Sequence, residues 1–245
     1  MRAARAAAAA LLATGLAGCE STQEKSARLE KAAKHVTLAG AGLTVTRASG
    51  VIRVREAVVV GGAEGAAAVV VVENPSAHAL ARVPIAITVS DASGRTVFSN
   101  DMPGLEAGLV SLASLPAHGE AFWVDDQLPA GAKPVRVSAR VGEGIPVANL
   151  PQIAIASIHS SEGATGPGLA ATVSNRGRTP QQSLAVFALA RRGARVVAAG
   201  RAVIPELAAG ASAPFQLFFV GSPRGAQLHL LAPAAAPQQR RAPSG

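Results

Sequence analysis

Few side chains in this chain could do chemistry. Cys19 is the only cysteine in 245 residues, so it has neither a disulfide partner nor a second thiolate to share a metal. The histidines, His35, His78, His118, His159 and His229, fall at no metal-ligand spacing and read as loop or surface residues. Asp125-Asp126 is the one adjacent acid pair among them, but without alternating oxygen ligands around it the pair reads as turn-forming and not as a calcium site. The second half holds two acids, Glu162 and Glu206, and no paired carboxylate that could share general acid–base work. Gly163-Ala164-Thr165-Gly166-Pro167-Gly168 is glycine-rich, yet proline removes an amide that a phosphate-cradling loop needs. The expectation is a protein that is not an enzyme and carries no metal and no cofactor.

Arginine is what remains. Arg191, Arg192 and Arg195 sit around Gly193 on a hairpin tip, and Arg176 and Arg178 flank the turn that follows Asn175. Guanidinium groups pair bidentately with phosphate or carboxylate, so these five form one anion-binding patch if the two turns lie at the same end. The alternative is solvated arginines that keep an apolar domain soluble. Residues 151–245 carry nine arginines against those two acids, whereas residues 36–150 carry ten acids against eight basic residues, so the excess charge belongs to the second half. Lipid head groups, wall polymers or an envelope protein suit such an excess. Nucleic acid is excluded by the lack of interleaved stacking aromatics, since the whole chain has six Phe, one Trp and no Tyr.

The surroundings of Cys19 say where the protein lives. Arg2 and Arg5 precede an apolar run, Ala6 to Ala17, that is too short for a stable membrane span, and small residues close it: the three regions of a secretory signal. Leu16, Ala17 and Gly18 followed by Cys19 resemble a bacterial lipobox. The resemblance implies cleavage before Cys19, thioether lipidation of that residue and membrane anchoring through palmitate-type acyl chains, on either the inner or the outer membrane of the cell envelope. The competing reading, an ordinary secretory signal with a chance cysteine, requires an exported chain to keep one unpaired thiol.

The elements that would position these residues are strands. After the signal segment, 1–18, Ser21-Thr22-Gln23-Glu24 fits a capping box for a short helix in the tether, 19–38, with a flexible tether as the alternative. From there short β-branched runs are cut by Gly, Pro, Asn and Asp: Leu43–Thr46, Val51–Val54, Ala57–Val60, Ala67–Glu73, Val83–Ser90 and Thr96–Phe98. Ile85, Ile87 and Val89 alternate as in a strand with one buried face, and Asp91-Ala92-Ser93-Gly94 supplies a hairpin.

An internal repeat organises the rest. Val71 to Ser76 is echoed by Thr172 to Gly177, Ile85 to Val89 by Leu184 to Leu189, Ser93 to Val97 by Arg192 to Val196, and Leu115 to Phe122 by Leu207 to Phe215. Four matches in one order predict two copies of one fold, each about the size of an immunoglobulin-like sandwich. The predicted fold is all-β: sandwich one over 39–142, a Gly/Pro linker over 143–151, sandwich two over 152–232 and a disordered tail over 233–245. Each copy is expected to own its core and to fold alone. The order of strand, Asn turn, alternating strand, Gly hairpin and a Leu-to-Phe turn before a late strand resembles the small Ig-like, FxLYD-like domains of bacterial envelope proteins. The lipobox, the two-copy β pattern and the missing catalytic inventory together lead to the expectation of a non-catalytic interaction or assembly module, and the arginines of the second copy give an anionic-ligand or wall-polymer sensor as the alternative. Phe122-Trp123 and Phe215, Phe218 and Phe219 are expected in cores, and an outward Trp123 would instead mark a ligand platform.

Overall fold

The computed structural model describes residues 45–62, 65–101, 105–129, 131, 133–163 and 166–237. The predicted signal segment, lipobox and tether, with His35, lie outside the described residues, as do positions 238–245 of the predicted tail.

The chain is all-β. In the first sandwich, β1 (Arg53–Gly62), β2 (Gly65–Asn74) and β6 (Gly119–Asp125) form an antiparallel sheet in the order β1-β2-β6. Arg53–Gly62 was expected as two strands, Val51–Val54 and Ala57–Val60, and it is one, with a bulge at Val54/Glu56 that absorbs the polar interruption. Val45 and Thr46, expected in a strand, are not in one. The facing sheet is built around β3 (Ala79–Ser90), which pairs with β4 (Thr96–Ser99), β5 (Ser111–Leu115), β7 (Arg136–Val141) and β8 (Ile145–Val147).

Between β4 and β5 the β3 ladder is completed by a side chain. Asn100 accepts from the Ile87 amide at 2.7 Å and donates to the carbonyls of Ile85 and Leu109 at 2.9 and 2.8 Å. Every polar atom of that buried amide is thereby satisfied, as its burial demands. A one-turn helix, α1 (Ala107–Val110), precedes β5. In the Asp91–Gly94 hairpin, Asp91 Oδ1 accepts from the amides of Ser93 and Arg95, and Gly94 takes the positive φ of +84° that the turn requires.

The second sandwich repeats this plan. β9 (Ile153–Gly163), β10 (Gly166–Asn175) and β13 (Ser212–Phe218) form a sheet in the order β13-β10-β9. β11 (Gln181–Arg192), β12 (Arg195–Leu207), β14 (Val220–Gly221) and β15 (Gln227–Leu231) form the other, in the order β14-β12-β11-β15. Where the chain passes from β13 to β14 it crosses β12 at Gly200, and a Cβ there would collide with the Phe218 carbonyl oxygen. No described strand pair joins the two halves.

Their cores, however, are fused. Residues 67–72 of β2 and 184–190 of β11 are buried without alternation, which in a strand means that both faces are covered. Leu184, Val186, Ala188 and Ala190 point into the second sandwich with Leu169, Val173 and Leu217. The intervening Ala185, Phe187 and Leu189, with Val196 and Ala199 of β12, join one apolar cluster with Val70, Val72, Trp123 and Val124 of the first. Sheet β1-β2-β6 therefore stacks on sheet β14-β12-β11-β15, and the central strands of these two sheets, β2 and β11, are covered by apolar packing on both faces. The described residues accordingly belong to one compact unit. This corrects the expectation of two self-contained domains across a linker with modest contacts.

The boundaries shift as well. Residues 145–147, placed in the linker, are β8 and pair with Ala79–Ala81 of β3. The predicted tail begins in ordered chain: Gln181 brackets Ala235, accepting from its amide at 2.7 Å and donating to its carbonyl at 3.3 Å, and Ala234 is buried. A fully buried glutamine needs such partners, and the tail supplies them.

Candidate functional site

The two arginine turns do not meet. Gln181 pairs with Leu207 at one end of the β11–β12 hairpin and Arg192 with Arg195 at the other, so Arg176 and Arg178 are separated from Arg191, Arg192 and Arg195 by ten strand steps, roughly 33 Å. The single five-arginine patch is thus ruled out by the length of β11.

Arg191, Arg192 and Arg195 instead edge the junction between the sandwiches. Gly193, at φ +60°, closes the hairpin. Arg191 donates to Glu56 of β1 at 2.5 Å and to its own hairpin's Ala194 carbonyl at 2.9 Å. With both side chains about three-quarters covered, this ion pair is better shielded from water than those on the open surface. Arg192 donates to the Arg224 carbonyl at 2.7 Å. Among the described residues neither Arg192 nor Arg195 makes an ion pair.

Beside this hairpin lies a cleft of about 470 Å³, lined by Glu56 and residues 58–61 of β1 and by Arg192, Arg195, Val196, Val197 and Ser222 of the second half. Its volume is within the range of small-ligand sites, and its walls are valine with charge at the rim. Next to it, Gly221 of β14 packs closely against Val60. β1 is the end strand of its sheet, with β2 its one hydrogen-bonded neighbour among the described strands, and its residues Val58 to Gly61 line the cleft.

A second polar group sits elsewhere at the junction. Asp125, at the end of β6, is fully buried; its Oδ1 accepts from the Gln127 amide at 2.9 Å, and its Oδ2 has no described partner. Burial pushes its pKa up to about 6, with the neighbouring Asp126 charge adding to the rise. Asp126 is also raised by burial, and the positive charge of Arg201 opposes that rise. Arg201 of β12 is 4% exposed and donates to Glu106 Oε2 at 2.6 Å. Asp125-Asp126, read from sequence as a turn, is thus part of a buried acidic edge facing an arginine from the other sandwich. Among the described residues no three ligand-type side chains gather as a metal site.

Trp123 is wholly buried, its indole N–H donating to the Gly108 carbonyl at 2.7 Å, so it is core and not a platform. Phe218 is 38% exposed and covers Gly163 and Gly168 on the outer face of its sheet. Glu56 and Arg201 were not singled out from sequence. The signal for Arg201 was present, because it is the only charge between Val196 and Ile204 in an apolar run.

No family model matches the chain, and no curated protein matches it. Among solved structures it is similar to the exo-chitosanase CsxA of Amycolatopsis orientalis, at 14% identity and a TM-score of 0.26 over 68% of this chain and 24% of that one. It is also similar to red sea bream transglutaminase, at 16% identity and a TM-score of 0.22 over 87% of this chain and 31% of that one. The chain spans between a quarter and a third of the length of these proteins. Likeness at this level says nothing of what this chain binds.

Proposed function

We propose that this protein is a non-catalytic envelope lipoprotein, anchored by acyl chains on Cys19, whose fused sandwiches act as an interaction module. The anchor rests on the lipobox resemblance of Leu16, Ala17, Gly18 and Cys19. The observation that carries the interaction role is the cleft at the sandwich junction, where the end strand of a sheet lies beside two arginines that, among the described residues, have no ion-pair partner. A rigid, preorganised surface of this kind loses little entropy on binding. The second reading, recognition of an anionic ligand or wall polymer by the basic half, is favoured by Arg192 and Arg195 facing the same cleft.

Two measurements test the proposal. Cys19→Ser is expected to leave the membrane fraction, because each buried methylene of an acyl chain contributes about 0.8 kcal/mol and the polar tether offers nothing comparable. A photo-crosslinker in place of Arg195 is expected to trap a specific adduct in intact envelopes, and one in place of Arg178, at the far end of β11, is not. Salt-resistant membrane retention of Cys19→Ser would overturn the anchor, and equal labelling from both positions would overturn the interaction site.

A further inference from the structure

We propose that the cleft beside β1 receives an extended peptide segment carrying acidic side chains, which adds as a strand to the edge of β1. The proposal rests on the interaction-module reading and names the chemistry of its partner.

Three observations converge on it. β1 ends its sheet, in an antiparallel strand every second residue turns its N–H and C=O away from the paired neighbour, and Val58 to Gly61 of this end strand line the cleft. Protected edges carry charge, proline or a covering element, and the first part of β1 does so with Arg53, Arg55 and Glu56. Val58-Val59-Val60-Gly61 carries neither charge nor proline; Val58 and Val59 are half-buried and Gly61 is exposed. The opposite wall, Val196 and Val197, gives apolar contact for alternate side chains of an added strand.

Charge selects the occupant. Arg192 and Arg195 lie on the cleft, and the Arg224 carbonyl holds Arg192 in place. Glu56 is the acid that would repel an anionic guest, and Arg191 neutralises it at 2.5 Å. Among the described residues the cleft therefore carries two arginines with no ion-pair partner, beside the end strand of a sheet. A free phosphate or a lipid head group would use the arginines and leave the strand edge idle, whereas an acidic peptide uses both.

The test is fluorescence anisotropy with the full lipidated chain in neutral detergent and a labelled peptide of alternating Val and Glu. Binding is expected, and it should weaken by about tenfold or more for the Val/Lys peptide and for the Arg192→Glu, Arg195→Glu double variant. That variant should now prefer the Val/Lys peptide while keeping the parent melting temperature. Two N-methylated Val/Glu peptides, blocked at alternate amides in opposite frames, should differ, since only one frame removes the hydrogen bonds to β1. Val59→Lys, a charge placed on the edge, should reduce binding of every peptide that adds as a strand.

No binding of the Val/Glu peptide, or equal binding of both N-methylated frames, overturns the proposal. Arginine-dependent binding to phosphatidylglycerol vesicles without peptide binding also overturns it and assigns the cleft to lipid. In each of these cases a surviving crosslink from Arg195 in envelopes keeps the interaction module. Loss of that crosslink with peptide binding intact removes the module and leaves the site.

Discussion

Asn74 and Asn175, 101 residues apart in the chain, hold the same turn in the two sandwiches. Each side-chain amide donates to the carbonyl four residues on, His78 at 2.8 Å and Thr179 at 2.9 Å. Each then reaches the corner before the late strand, at the Pro116 and Leu207 carbonyls, and each Oδ1 accepts from the amide two residues on, Ser76 and Gly177. The repeat read from the sequence is therefore a repeat of hydrogen bonds. Both asparagines are buried, so alanine at either leaves carbonyls and an amide without partners. Asn74→Ala and Asn175→Ala should each cost about 2–4 kcal/mol in urea unfolding. A cost near zero for either would show that its turn is held by something else.

The fused core predicts one unfolding transition. Phe187 belongs to the second sandwich by sequence and to the first by packing. Phe187→Ala should cost about 3–5 kcal/mol, lowering the stability of both halves together as followed by Trp123 fluorescence and by far-ultraviolet circular dichroism. A chain beginning near Leu150 would expose Ala185, Phe187 and Leu189 and should aggregate or bind a hydrophobic dye. Independent, well-separated transitions would contradict the shared layer.

The pH dependence follows from Asp125. Its folded pKa, about 6, lies above its ordinary 3.8, so between those values the folded state holds a proton that the unfolded state has released. Stability due to this group therefore falls as pH rises through that window and is greatest on the acid side. The change amounts to at most about 3 kcal/mol, at 1.36 kcal/mol for each pKa unit. Asp125→Asn should flatten this part of the curve of unfolding free energy against pH. An unchanged slope would place the proton elsewhere, with Asp126 the neighbouring candidate.

Arg201 is the counter-charge at that edge. Removing a covered guanidinium that faces the half-buried Asp126 and holds the exposed Glu106 takes away a charge-assisted hydrogen bond, and Arg201→Ala should cost about 1.5–3 kcal/mol at neutral pH. Part of the loss should return at low pH, where the carboxylates are neutral. Loss of equal size at all pH values would mean that packing of the arginine stem is its whole role.

How far the sequence was legible depended on the range of the interaction. Local chemistry was readable: the Asp91–Gly94 hairpin, the alternation of Ile85, Ile87 and Val89, and the paired asparagine turns all follow from residue type and spacing. The stacking of the two sandwiches was written in the unbroken runs Ala66 to Val72 and Leu184 to Ala190, which identify strands but do not name what covers their second face. The arginine patch failed for a geometric reason, because one uninterrupted twelve-residue strand separates the turns. Glu56 and Arg191 are 135 positions apart, and no local pattern pairs them.

A duplication that leaves two beads on a string can be undone by deleting either bead. Here the face that a solitary sandwich would turn to water is wallpaper on the inside of a house: Ala185, Phe187 and Leu189 on one copy, the valines of β2 on the other. Neither copy can now be lost, swapped or moved to another protein without several simultaneous changes back to polar residues. The cleft shares that dependence: its lining comes from both copies, and a chain that lost either copy would have no cleft.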